Sequence, residues 1–387
     1  MIKDFNFYAP TRVVFGKESE EKLPQLLLSY GAKKVLVHYG GSSARKSGLL
    51  DKVEKMLTDA NIAYVELGGV VPNPLLSLVY EGIELCKREQ VDFVLAVGGG
   101  SVIDSAKAIA YGVGYQGDVW DFWDGKAVPQ SCLPIGVMLT IPAAGSEMSS
   151  SCVITNDQGM LKRGVNSDLC RCKFVIMNPE RTFTLPAYQS AAGATDIMMH
   201  TMERYFSKYE DAMLTDALAE ALLRTVIEAT PIVLKYPEDY KHRSAIMWAS
   251  SLSHNDLTEC GTEKDFACHK LEHELSGMFG VTHGAGLAAI WGSWARYVMG
   301  KHMGRFEKFA KNVMGVEGAL KGVEAVETFF SSIGMPISIP QLIGRQLTDK
   351  EIDILVDKCS RGGRMNIGAM EVLTPDDMIK IYQMANK

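Results

Sequence analysis

VDFVLAVGGGSVIDSAKA (91–108) is the stretch that decides the fold. Val91 to Val97 is an apolar, β-branched run of strand length. Three glycines follow, and from Ser101 the spacing turns helical, with Ser101 as the expected cap and Asp104 as the acid at the third position. A strand that passes through a bare glycine turn into a helix leaves backbone amides at a helix N-terminus, where unpaired N–H groups and the helix dipole favour a phosphate. Glycine has no Cβ, so a ligand can approach closely. The run is not G-x-G-x-x-G; a nucleotide pyrophosphate site and a plain tight turn both fit it.

The texture repeats on either side. KKVLVHY (33–39) and LPIGVMLTIP (133–142) are further strand-like runs, and they end in Gly40-Gly41-Ser42-Ser43 and Ala143-Ala144-Gly145-Ser146. Short β-branched runs alternating with helical stretches predict a parallel sheet wrapped by helices, with these turns sharing the rim at the carboxyl ends of the strands. The turn after residue 39 holds no acid. Sites selective for NAD usually place a carboxylate on the adenosine ribose, whereas the hydroxyls, glycine amides, Arg45 and Lys46 here suit a 2′-phosphate, or are simply a solvated basic loop.

After TFTLP (182–186) the pattern becomes long helical periodicity, as in DAMLTDALAEALLRTVIEATPIVL. The expected architecture is α/β: a Rossmann-like parallel-sheet, dinucleotide-binding domain over residues 1–185, then an all-α metal-binding domain over 186–387. A chain of 387 residues exceeds what one core usually supports, which agrees with two domains and an interdomain cleft. A net charge of −6 argues against a nucleic-acid partner and for a small-molecule substrate. Asp4 and Pro10 interrupt the apolar stretch that a signal peptide needs, so a cytoplasmic location is expected. Residues 284–300, the most apolar later stretch, are interrupted by Arg296 and short for a bilayer, so no membrane partner is expected. The eight cysteines are irregularly spaced and read mostly as buried thiols, Cys170-x-Cys172 included.

Of the eight histidines, His269, His273 and His283 fall within fifteen residues, in CHKLEHELSGMFGVTHGAG. His269 and His273 are four apart on one helix face, and Asp196 and His200 in GATDIMMHTMERY repeat that spacing on another helix. Two such pairs on facing helices can converge on one ion. Carboxylate and imidazole together suit iron or zinc better than calcium. Spacing alone does not say which three or four of the five groups bind. His38, His242, His254 and His302 read as ordinary core or surface histidines. Trp120, Phe122, Trp123, Phe266 and Phe279 are candidate walls of a small apolar pocket, though an aromatic stripe is equally a core.

YAPTRVVFG, GGVVPNPLL, VLAVGGGSVIDSAKAIA, IPAAGSEMSS, TFTLPAYQSAAGATDIMMH and HKLEHELSGMFGVTHGAGLA, in that order over nearly the whole chain, make it similar to the iron-containing alcohol dehydrogenases, in particular their butanol dehydrogenase branch. The resemblance implies a metal held by Asp196, His200, His269 and His283, ferrous iron first and zinc second. His273, which bare spacing would have favoured as a ligand, moves to a catalytic place beside the nicotinamide, as a proton relay or as an orienting group behind the ligands. It also implies cofactor contacts at Gly98, Gly99, Gly100, Ser101 and Asp104, and at Asn73, Thr140, Ser149 and Lys162. The Gly40, Gly41, Ser42, Ser43 turn looks like the branch that uses NADP(H) rather than NAD(H), since NAD-preferring members carry an aspartate where Gly40 stands. A homodimer joined through the N-terminal strand follows from the same resemblance. Cys172 and Asn178 depart from the family pattern, where a proline and an aspartate are usual. The expected activity is hydride transfer between NADPH and a small aliphatic aldehyde such as butanal. Two alternatives are a dehydroquinate synthase-like lyase using metal and NAD, and a non-catalytic metal- or nucleotide-binding protein. The apolar residues around the cluster, Met198, Met199, Leu275 and Phe279, disfavour the first, and the complete ligand set disfavours the second.

Overall fold

The structure, a computed structural model, describes residues 2–387. It divides into two compact units, Ala9–Thr184 and Leu185–Lys387, the second joined by the residues up to Tyr8.

The first unit contains strands β1 (Arg12–Phe15), β2 (Lys34–Tyr39), β3 (Ala63–Leu67), β4 (Phe93–Gly98), β5 (Ile135–Leu139), β6 (Ser151–Asn156), β7 (Leu161–Asn166) and β8 (Phe174–Met177). Its helices are α1 (Leu23–Ser29), α2 (Ser43–Lys46), α3 (Leu49–Asp59), α4 (Leu76–Glu89), α5 (Gly100–Val113) and α6 (Asp121–Asp124). Six strands form a wholly parallel sheet in the order β1-β8-β5-β4-β2-β3. The central strand β4 is buried at every residue, which is why Phe93 to Gly98 is continuously apolar rather than alternating. From β2 the chain steps outward to β3 and then returns to β4 on the other side, so the winding reverses between β2 and β4. That reversal is where open α/β sheets bind ligands, and the turns after Tyr39, Gly98 and Leu139 end three neighbouring strands there.

Two details differ from the sequence expectation. Ser101 does not cap α5: cap and helix start both lie two residues earlier, with Gly99 as the cap in extended conformation, Gly100 as the first helical residue, and no side chain capping it. The antiparallel hairpin β6–β7 was not anticipated, because LKRGVN carries little apolar alternation and is held by its partner strand, not by burial.

The second unit is helical: α7 (Ala187–Tyr205), α8 (Met213–Lys235), α9 (Tyr240–Ser253), α10 (Ala267–Phe279), α11 (His283–Met299), α12 (Met303–Phe309), α13 (Ala319–Ser332), α14 (Ile339–Ile343), α15 (Asp349–Cys359) and α16 (Pro375–Ala385). Helices α7 and α11 are its axis and are buried along most of their length. No helix of the described residues is long and apolar enough to cross a membrane. Asp265 fixes the start of α10 by accepting the amides of Ala267 at 3.2 Å, Ala369 at 2.7 Å and Met370 at 2.9 Å.

Candidate metal centre and dinucleotide turns

Three helices of the second unit bring the expected metal residues together. Asp196 and His200 lie on one face of α7, His269 projects from α10, and His283 opens α11. Gly280, in the left-handed region at φ +65°, ends α10 and lets the chain turn back, so that His283 faces the same point. Asp196 Oδ1 stands 3.4 Å from His200 Nε2, 3.8 Å from His269 Nε2 and 3.7 Å from His283 Nε2. None of these contacts is a hydrogen bond. Ligands roughly 2.1 Å from a tetrahedral ion stand roughly 3.4 Å from one another, which is close to what is seen. Asp196 Oδ1 and His269 Nε2 are buried and make no hydrogen bond, a costly state that a cation relieves.

The rest of the cluster was not anticipated. Glu203, fully buried one turn beyond His200, accepts the Nδ1–H of His269 and, at 2.7 Å, the amide of Cys268. Glu272, also fully buried, accepts the Nδ1–H of His283 and the hydroxyl of Ser276. A signal for Glu203 was present: Asp196, His200 and Glu203 follow the i, i+4, i+7 spacing of one helix face. Glu272 had none, since its partner is eleven residues away across the Gly280 turn. Burial works to lower the pKa of His269, but the charges of Glu203 and Asp196 outweigh it and hold the imidazole at about 9. The surroundings of His269 therefore call for positive charge. His200 is pushed the other way, far below its usual range, by burial and then by the neighbouring His254 and His269.

His273 lies half-buried at the edge of the cluster, its ring 5.6 Å from that of His283 and 6.4 Å from that of His269. Glu272, His273 and His283 are also mutually close, but His283 Nδ1 is engaged by Glu272 and its Nε2 faces Asp196, so they do not make an independent second site. Phe266 covers the rings of His269, at 4.7 Å, and His200, at 5.8 Å. His254 is no ordinary core histidine: its ring centroid is 4.0 Å from that of His200, and Arg204 donates to its Nδ1 at 3.2 Å. His38 does have a structural place, with Nδ1–H donated to the Leu67 carbonyl and Nε2 accepting from Ser105. His242 pairs with Asp239, and His302 lies near Glu371.

In the first unit the glycine turn closes tightly on its neighbour. A Cβ on Gly99 would stand 3.0 Å from Ile141 Cβ, and one on Gly100 3.1 Å from Ala144 Cβ. None of Gly98, Gly99 and Gly100 has positive φ, so close approach, not dihedral freedom, is what requires glycine. Asp104 faces inward, taking the Ser146 hydroxyl at 2.5 Å and the Val153 amide at 2.9 Å. The buried Lys107 donates to the carbonyls of Ser146 and Ser151, each at 2.7 Å, and of Ser149 at 3.0 Å. Ser149 is buried, its hydroxyl accepting the amide of Ser151 at 3.2 Å. Lys162 is buried on β7, Asn73 has left-handed φ, and the Thr140 amide donates to Gly98 at 3.0 Å. Asp104, Lys107 and Ser149 thus bind the two turns to each other.

Gly41, Ser42 and Ser43 are exposed and Gly40 half-buried after β2, with Lys46 exposed beyond them. Arg45, however, is committed to Glu54, Asp51 and Glu66, so one of the two cations expected for a 2′-phosphate is already matched by acids. Trp120, Phe122 and Trp123 are core: Trp120 and Trp123 stack at 6.0 Å, Phe122 packs on Tyr111, and Trp123 donates to the Cys152 carbonyl. Phe279 lies under the Arg345 guanidinium. Burial pushes the thiols of Cys86, Cys172 and Cys359 up to about 12, as inert core residues. Asn178 caps the following turn by accepting the Glu180 amide and donates to the Lys17 carbonyl, which accommodates its departure from aspartate.

Comparison with known proteins agrees with this geometry. Residues 10–179 match the family model for iron-containing alcohol dehydrogenase, and residues 190–386 match the C-terminal model of the same family. The chain is 38% identical to NADH-dependent butanol dehydrogenase A of Clostridium acetobutylicum, over 98% of each chain. It is 33% identical to the NADPH-dependent aldehyde reductase YqhD of Escherichia coli, over 99% of this chain and 100% of that one. A solved structure of NADH-dependent butanol dehydrogenase A from Thermotoga maritima superposes with a TM-score of 0.96 at 37% identity, covering 100% of this chain and 99% of that one. These relatives are dehydrogenases and a reductase, and they give the lyase alternative no support. The chain belongs to the iron-containing alcohol dehydrogenase family, and it is an alcohol dehydrogenase that works with a metal ion and a nicotinamide cofactor.

Proposed function

We propose that Asp196, His200, His269 and His283 hold one divalent ion, ferrous iron first and zinc second, and that the chain reduces a small aliphatic aldehyde such as butanal with NADPH in preference to NADH. The observation that carries this reading is the convergence of one carboxylate oxygen and three imidazole nitrogens on a buried point, with Asp196 Oδ1 and His269 Nε2 lacking hydrogen bonds. The bound ion supplies a Lewis acid that polarises the carbonyl, and the reduced nicotinamide supplies the hydride. The protein supplies the geometry. Residues 186–387 hold the ion, with Phe266 excluding water beside His200 and His269. Residues 1–185 would hold the dinucleotide: the amides of Gly98 to Ser101 would take the pyrophosphate, with Asn73, Thr140, Ser149 and Lys162 as further contacts, and Asp104 would brace the glycine turn through Ser146 and Val153. His273 gives up and recovers a proton at an imidazole nitrogen, as a half-buried ring outside the ligand set can.

Preference for NADPH is supported by the absence of a carboxylate at Gly40 to Ser43 and by exposed Lys46, with Arg45 withdrawn from the set. The C. acetobutylicum relative is NADH-dependent and the E. coli one NADPH-dependent, so the family includes both preferences. A homodimer is supported by β1, which pairs with β8 on one side only among the described residues, and by the exposed Phe5 and Tyr8 that precede it. The test is butanal reduction by chelator-stripped protein resupplied with ferrous iron or zinc, run with NADPH and with NADH. Activity restored by metal and faster with NADPH supports the reading. Activity that survives stripping, or favours NADH, overturns the corresponding half.

A further inference from the structure

We infer that Glu203 and Glu272 are a matched pair of positioning residues that aim His269 and His283 at the ion and, by their charge, set how tightly it is held; this rests on the ligand assignment above. Both carboxylates are fully buried, and each accepts the Nδ1–H of one of the two imidazoles. That bond fixes the tautomer, leaving the Nε2 lone pair of each ring directed at Asp196 and the point the ligands share. The carboxylates are themselves held. Glu203 takes the Cys268 amide at the start of α10, and Glu272 takes the Ser276 hydroxyl one turn along its own helix. Neighbouring residues make room for them as well: a Cβ on Gly286 would fall 2.7 Å from Glu272 Oε1, so the second glycine of His283-Gly284-Ala285-Gly286 is the seat of this carboxylate.

The arrangement is asymmetric. His200 Nδ1 is buried and meets no carboxylate, only the ring of His254. With Asp196, three carboxylates therefore surround one dication, and two of them act through imidazoles. A polar network serving only the fold would not need both charges to end on ring nitrogens whose opposite nitrogens converge.

The experiment is titration of chelator-stripped full-length protein with Co2+, read by its visible absorption and by competition with a chromogenic chelator, for wild type, Glu203→Gln, Glu272→Gln and the surface control Glu324→Gln. Glutamine keeps an oxygen acceptor and removes the charge. Each buried variant is expected to bind Co2+ about 10- to 100-fold more weakly, with a changed absorption band, while the stripped protein keeps its Tm and the control binds as wild type does. Affinity within threefold of wild type and an unchanged band in both buried variants would overturn the inference. If one variant fails to fold, the other decides. Failure of the ligand assignment itself reads differently, as wild-type protein that gives no saturable Co2+ band.

Discussion

Gly284 of α11 rests directly on the backbone of Ala192 in α7: a Cβ there would stand 2.0 Å from the Ala192 carbonyl oxygen. The contact sets the spacing of the two helices that carry His283 and Asp196. Neither helix can move aside cheaply, because both are buried.

Gly284→Ala is therefore expected to destabilise the second unit by about 3 kcal/mol, the upper range for overpacking, and to displace His283. Urea midpoints and metal content measure the two effects. A variant of normal stability with a full metal complement would show that the crossing is softer than its geometry implies.

Replacing Lys107 by methionine should loosen the two dinucleotide turns. The ammonium donates to three carbonyls, and its loss strands them in a buried place, at a cost of about 3 kcal/mol. The kinetic expectation is a rise in KM for the nicotinamide that exceeds the fall in kcat. The reverse split would place Lys107 in the chemistry instead.

His38 gives the fold an acid sensitivity with a defined sign. Burial lowers its pKa to about 4, against about 6.5 in an unfolded chain. Above pH 6.5 the ring is neutral in both states and costs nothing. As pH falls from 6.5 toward 4, only the unfolded chain binds the proton, and stability is lost by up to about 3 kcal/mol. His38→Gln should flatten the pH dependence of the urea midpoint across that window, and an unchanged slope would mean that other groups cause it.

At the cofactor turn, Gly40→Asp should move the ratio of kcat/KM values toward NADH. The position accepts a side chain: its φ is not positive, and a Cβ would meet Val70 O at 3.4 Å and Val102 Cγ2 at 3.7 Å, ordinary contacts. Arg45→Ala should leave that ratio nearly unchanged, because its guanidinium is held by Glu54 and Glu66. A large loss of NADPH activity in Arg45→Ala would return Arg45 to the phosphate site.

The parallel sheet was legible because a strand buried on both faces must be continuously apolar, as Phe93 to Gly98 is, and the helical unit because its periodicity runs for whole helices. The candidate metal residues stood out through the i, i+4 spacing of Asp196 with His200 and of His269 with His273 and through the rarity of histidine, but only the family resemblance put His283 in the ligand set in place of His273. What stayed hidden was set by the third dimension. Glu272 meets His283 only across the Gly280 turn, His254 reaches His200 from the end of another helix, and Arg45 is withdrawn by Glu66 on a neighbouring strand. Trp120 and Trp123 looked like pocket walls because a stacked aromatic core leaves the same trace in one dimension.

The most direct measurement is the metal content of purified wild type and of the Asp196→Ala, His200→Ala, His269→Ala, His283→Ala and His273→Ala variants, alongside their aldehyde-reducing activity. The account predicts about one ion per chain in the wild type and in His273→Ala, the latter with low kcat, and near-complete loss of the ion in the other four. A full complement in any of those four, or its loss in His273→Ala, would contradict the ligand set.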